Sequence, residues 1–155
     1  MHVTLAFIGR TPDEQLAAVT AAAEAAAAGV TAFDIELDRP GRFPPSGRPR
    51  VVWLGMGAGS QAALALGERV RAELARREIA FDAKPLRAHV TLGRVKEDVA
   101  LVDARAIAAG VEAMRVPHLR FRSDTVVVFE SVLSPRGPRY TARSTAPLRV
   151  GDPSA

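Results

Sequence analysis

Hydrophobic and polar residues alternate at the start of the chain. Val3, Leu5 and Phe7 fall on one side and His2, Thr4 and Ala6 on the other, the two-residue period of a strand over residues 2–8. The period then lengthens. Thr11 offers an N-cap, Pro12 suits the first helical position, and Asp13 and Glu14 complement the partial positive charge of a helix N-terminus. This predicts a helix up to about Ala28, closed by Gly29, in which the alanine-rich stretch 21–28 is helix-forming sequence rather than a linker. A strand is predicted over 32–37, a loop rich in Pro, Gly and Arg over 39–49, and a strand over 50–56 whose unbroken apolar run places it inside a sheet. Then come a helix over 60–77, a strand over 88–95, a helix over 98–114, a strand over 119–133 bent near Ser123, and a strand over 139–146. Ser134-Pro135-Arg136-Gly137-Pro138 supplies the turn before the last strand.

One tetrapeptide occurs twice. His2-Val3-Thr4-Leu5 recurs letter for letter as His89-Val90-Thr91-Leu92, and each copy is followed by a helix, a strand, a loop of Pro, Gly and Arg, and another strand. The duplication predicts one α+β domain over residues 1–148: two similar lobes of mainly antiparallel strands with outer helices around a central cleft, each lobe giving one His-Val-Thr-Leu strand to the middle. No linker composition divides this stretch, and residues 149–155 read as a tail.

Composition narrows the function only a little. With 48% hydrophobic and 25% charged residues, the 155-residue chain has enough apolar matter for one core. The absence of Cys excludes disulfides, thiolate metal sites and a cysteine nucleophile. No basic-then-apolar opening marks a signal peptide and no apolar run spans a bilayer, so the expected place is the cytoplasm, with no membrane partner. A net charge of +4 suits a polyanion such as nucleic acid. All but Lys84 and Lys96 of the 21 basic residues are arginine, however, which with the abundant alanine reads as genome bias.

The repeated tetrapeptide changes the picture. Residues i and i+2 of a strand share a face, so His2 points with Thr4 and His89 with Thr91. An approximate two-fold relation between the lobes would bring all four side chains to one cleft. Displacement at a phosphodiester needs a base on the attacking side and an acid on the leaving side, and histidine, with an ordinary pKa of about 6.5, serves as either. Threonine hydroxyls can donate to the non-bridging oxygens. Either tetrapeptide alone is an ordinary strand with a half-buried histidine. Two identical copies, taking two of the three histidines and each opening a strand–helix unit, make His2 and His89 the candidate catalytic pair. Which is the acid stays open at this level. His2, His89 and His118 show no metal-ligand spacing, so no metal and no other cofactor is expected. His118 has no motif around it and reads as a surface or strand-start residue.

These residues carry a resemblance. The sequence is similar to the two-histidine phosphoesterases, in particular the RNA 2',3'-cyclic phosphodiesterases, also called 2'-5' RNA ligases. His2-Val3-Thr4-Leu5-Ala6-Phe7-Ile8-Gly9 resembles the first motif of that family, Arg48-Pro49-Arg50-Val51-Val52-Trp53-Leu54-Gly55 its central strand, and His89-Val90-Thr91-Leu92-Gly93-Arg94 its second motif. Val126 to Leu133 with Gly137-Pro138-Arg139-Tyr140 resembles its closing hairpin. The resemblance implies hydrolysis of 2',3'-cyclic phosphate on RNA ends or nucleotides to a 2'-phosphate, without metal. His2 would protonate the leaving 3' oxygen and His89 would activate water. It also implies a reversible 2'-5' RNA ligation by the same two groups. Members of the family carry a further strand and helix ahead of the first motif. Met1 is therefore expected to be an internal residue of a longer protein, monomeric at full length, with this shorter chain open to dimerisation.

Phe7 and Arg94 stand at the same place in the two copies, five residues after each histidine. Strand parity turns Phe7 toward the core, and Arg94 reads as a solvated strand end. Bends at Gly9 and Gly93 would instead turn both to the cleft mouth, where an aromatic ring and a guanidinium can stack on a base, and the resemblance favours that role. Trp53 and Tyr140 read as core and hairpin packing. Two other functions fit the same residues: a non-catalytic RNA-binding module, and a two-histidine phosphodiesterase for another cyclic phosphate such as ADP-ribose 1'',2''-cyclic phosphate. The motif reads the phosphate rather than the nucleoside.

Overall fold

The computed structural model describes residues 2–134 and 137–151. Among them are three α-helices, α1 (Leu16–Ala27), α2 (Ser60–Arg76) and α3 (Leu101–Ala113). Six strands accompany them: β1 (Phe33–Phe43), β2 (Val51–Met56), β3 (His89–Arg94), β4 (Leu119–Ser123), β5 (Thr125–Ser134) and β6 (Gly137–Pro147). The fold is α+β. One sheet has the order β3-β2-β1-β4, with β2 antiparallel to both of its neighbours; β5 and β6 form a separate antiparallel pair. As expected from its apolar run, β2 is interior. The chain divides into two compact units, each built from three stretches: a sheet unit of residues 2–4, 34–61 and 87–121, and a helical unit of residues 5–33, 62–86 and 122–151. No helix among the described residues is long and apolar enough to cross a membrane.

In the helical unit α1 buries Val19, Ala22, Ala23, Ala26 and Ala27, the i, i+3, i+4, i+7, i+8 stripe of an amphipathic helix. Methyl-sized side chains let it lie close to its neighbours. These residues share a core with Leu66, Val70 and Leu74 of α2, Ile79, Val126 of β5, Ala146 of β6 and Leu148. Thr20 Oγ1 donates to Ser144 Oγ at 3.2 Å, tying α1 to β6. Gly29, with φ of 77°, takes the left-handed conformation that ends α1. Arg149 forms a parallel bridge with Thr31.

In the sheet unit, Ile35, Leu37, Leu54, Met56 and Val90 are buried on the strands and Ala104 and Val111 on α3. Arg42 of β1 reaches Glu112 of α3 at 3.6 Å.

The structure departs from the predicted elements at definite places. Residues 2–8 are not a strand. Only Val3 keeps a ladder contact, an antiparallel bridge to Val90. Leu5, Ala6 and Ile8 pack against the helical core, while Phe7 is 63% exposed. A strand cannot bury residues of both parities against one core, so the backbone here leaves the ladder, and the Phe7 carbonyl accepts instead from the Asp82 N–H at 2.8 Å. Thr11 is not a cap: its hydroxyl donates to the Gly9 carbonyl at 3.3 Å, and a 3₁₀ turn, Asp13–Gln15, led by Pro12, precedes α1. β1 continues through residues 39–43, predicted as loop, because its pairing with β2 resumes past an irregularity between Leu37 and Arg39. The stretch 119–133 is two strands in different sheets; at the break, the Asp124 carbonyl accepts from Leu148 N–H at 2.7 Å. Pro135 and Arg136 of the predicted turn, and 152–155 of the predicted tail, lie outside the described residues.

Candidate active site

The two His-Val-Thr-Leu copies meet in the sheet unit, because Val3 pairs antiparallel with Val90. Val90 is 2% exposed, whereas His89 is half-buried and Thr91 exposed; Val3 is half-buried, whereas His2 and Thr4 are exposed. Residues flanking a paired position project from the opposite face of the sheet. The valines therefore turn inward, and His2, Thr4, His89 and Thr91 share the other face. Antiparallel register sets them crosswise, His2 beside Thr91 and Thr4 beside His89.

Three strands build the surroundings of His89. Across the sheet, Arg39, Gly55 and His89 form one row, Gly41, Trp53 and Thr91 the next, and Phe43, Val51 and Arg94 a third. The His89 ring lies edge-on to Phe43, with centroids 5.3 Å apart, and 5.9 Å from Trp53. Phe43 and Trp53 are 5.1 Å from each other, and the Arg87 guanidinium sits 5.4 Å from the Phe43 ring centre. His89 Nδ1 is 2.6 Å from the Arg87 carbonyl. A carbonyl only accepts, so Nδ1 carries the hydrogen and the neutral ring keeps its lone pair on Nε2. Phe43, Trp53 and the Arg87 backbone were not singled out for this site from the sequence. Trp53, read as core packing, stands beside His89.

Arg94 reaches the same face through a backbone irregularity. Trp53 pairs with Thr91 but Val52 pairs with Gly93, which leaves Leu92 without a partner on β2. An extra residue of this kind reverses parity beyond it, so Arg94, opposite Val51, follows His89 and Thr91 despite its odd spacing. Phe7 belongs to the helical unit and His118 is an exposed residue ahead of β4. A shallow depression of about 630 Å³, bordered by Val52, Arg94, Lys96, Asp98 and Asp103 among others, includes neither motif histidine. His2 is held below the ordinary imidazole pKa of 6.5, first by burial and then by the positive charge of the terminal amino group.

Comparison with known proteins places this arrangement. The model of the 2'-5' RNA ligase superfamily matches residues 1–133. An RNA 2',3'-cyclic phosphodiesterase of Archaeoglobus fulgidus is 32% identical over 148 residues, covering 90% of this chain and 75% of the relative. One of Thermus thermophilus is 32% identical over 160 residues, covering 96% and 72%. Among solved structures, TT0787 of Thermus thermophilus superposes with a TM-score of 0.76 at 28% identity, covering 97% of this chain and 79% of that one. Escherichia coli LigT complexed with 3'-AMP gives 0.69 at 25% identity, covering 95% and 76%. The chain belongs to the 2'-5' RNA ligase superfamily.

Proposed function

We propose that the protein is an RNA 2',3'-cyclic phosphodiesterase, a hydrolase that converts 2',3'-cyclic phosphate ends of RNA to 2'-phosphate with His2 as acid and His89 as base and without a metal ion. The observation that carries this reading is the Val3–Val90 bridge, an antiparallel contact between the two His-Val-Thr-Leu copies. The names of the similar proteins support the substrate class. His89 Nε2, the nitrogen not engaged by the Arg87 carbonyl, takes a proton from water as the water oxygen bonds to phosphorus. The bond from phosphorus to O3' breaks, and His2 delivers a proton to O3', leaving a 3' hydroxyl and a 2'-phosphate. Thr4 and Thr91 donate to the non-bridging oxygens. Arg94, on the face of His89, is assigned to the nucleoside, its guanidinium offering a face to a base. With an RNA 5' hydroxyl in place of water as the nucleophile, the same ring opening joins two ends in a 2'-5' linkage, O3' again leaving with a proton. The proposed place of the enzyme is the cytoplasm.

The test is an RNA oligonucleotide ending in 2',3'-cyclic phosphate, incubated with EDTA and followed by phosphorus NMR. A 2'-phosphate product formed at the same rate with and without EDTA is expected. A 3'-phosphate product, or activity lost in EDTA and restored by zinc or magnesium, overturns the mechanism. Binding of the oligonucleotide without turnover would point to an RNA-binding module instead. A much higher kcat/KM for ADP-ribose 1'',2''-cyclic phosphate would reassign the substrate.

A further inference from the structure

Trp53 is an unexpected choice for plain packing. Its Nε1 is buried and makes no hydrogen bond among the described residues, a desolvation cost that Phe or Leu there would not carry. Its seat is instead defined by two missing side chains. A Cβ at Gly41 would run into the indole, and one at Gly55 would come within 3.1 Å of Trp53 Cζ3. Gly41 lies outside the positive-φ region, so its backbone would admit alanine; the indole is what excludes a side chain. Gly41 is the β1 partner of Trp53, and Gly55 is the β2 partner of His89. The ring thus spreads over the strand positions beside His89, within 5.9 Å of the imidazole, and Phe43 closes the corner.

We propose that Trp53 is a positioning residue: its indole, laid across Gly41 and Gly55, is the wall that holds the His89 imidazole in the orientation set by the Arg87 carbonyl, with Nε2 turned to the reacting phosphate. This rests on the reading of His89 as a catalytic base. Hydrogen bonding at Nδ1 leaves the ring free to swing about that contact, and the aromatic wall removes the swing. Substrate need not touch Trp53 for its loss to slow the reaction.

The experiment uses the whole chain and 2',3'-cyclic AMP, with kcat, KM, pH profile and thermal midpoint measured for Gly41→Ala, Trp53→Phe, Trp53→Leu and Gly41→Ala/Trp53→Leu. Gly41→Ala displaces the indole and should lower kcat by about 10²-fold, the scale of an ångström-sized misplacement, with little change in KM. Its pH profile should move on the limb that belongs to His89. Trp53→Phe, which keeps a ring, should retain more kcat than Trp53→Leu. Gly41→Ala should cost nothing further in the Trp53→Leu background, where no indole remains to displace. Wild-type kcat in Gly41→Ala overturns the proposal, as does an equal loss in both backgrounds. If Gly41→Ala does not fold, equal kcat for the Phe and Leu variants overturns it and a ring-dependent kcat sustains it. His89→Ala in the same assay separates the two readings. If His89→Ala is inactive while Gly41→Ala is unaffected, only the positioning role falls. If His89→Ala is fully active, both fall.

Discussion

The helical unit is organised around a buried apolar core, while the sheet unit leaves half of its chemistry in the open. α1 presses a stripe of alanines and Val19 into a core closed by α2 and the β5–β6 pair. On the sheet unit, Val90 and Leu54 are buried while the opposite face carries His89, Thr91, Phe43 and Trp53, none of them fully buried. Stability and chemistry are thus lodged in different stretches of chain. The first motif shows the division within a few residues: His2, Val3 and Thr4 belong to the sheet unit and Leu5 onward to the helical unit. Substitutions in the helical core should therefore change stability with little effect on rate, and substitutions on the open sheet face should do the reverse.

The strongest separation should come from the histidines. His89→Ala or His2→Ala should each lower kcat/KM by about 10²–10⁴-fold, the worth of one positioned acid or base, while the thermal midpoint stays near that of the wild type. A large fall in midpoint would erase the division. Leu74 is 1% exposed at the heart of the helical unit. Leu74→Ala should cost about 2–5 kcal/mol of stability in denaturant titration, with kcat per folded molecule retained. Thr91→Val and Thr4→Val should each reduce kcat by about 10²-fold, as expected for removing one donor to a developing oxyanion, with a midpoint close to wild type. The smallest effect lies in the pH profile. His2 is depressed below 6.5, so in the free protein its proton is lost at lower pH than from an ordinary imidazole. An acid must hold its proton to act. The fall of kcat/KM with rising pH should therefore set in below 6.5. A bound anionic phosphate favours the imidazolium, so the same limb in kcat should lie at higher pH. Coincident limbs would show that His2 is not the group that feels the phosphate.

The parts of this site that were legible in the sequence are those written as residue identities. The repeated His-Val-Thr-Leu shows itself letter for letter, and the i, i+2 relation of His and Thr needs only a local strand. The pairing of the two copies through Val3 and Val90 is a long-range contact that no local period encodes. Phe43 and Trp53 were missed for the same reason. Their place beside His89 depends on β1 running on through Pro40 and Gly41 and on the register of three strands. Arg94 reaches the face of His89 only past the unpaired Leu92, and a bulge has no compulsory residue signature beyond a nearby glycine. The strand predicted over 2–8 failed where tertiary packing overrode alternation, drawing Leu5, Ala6 and Ile8 into one core. Helices α1 and α2, whose periodic stripes are long, were read within a few residues of their ends.

The central claim is that His2 and His89 act together on one phosphate, and a double-mutant cycle tests it most directly. It compares kcat/KM for hydrolysis of 2',3'-cyclic AMP by the wild type, His2→Ala, His89→Ala and the double variant. Two groups that serve one proton-transfer step predict a double variant little slower than the worse single one. Losses that multiply, or a single variant as fast as the wild type, would contradict the pair.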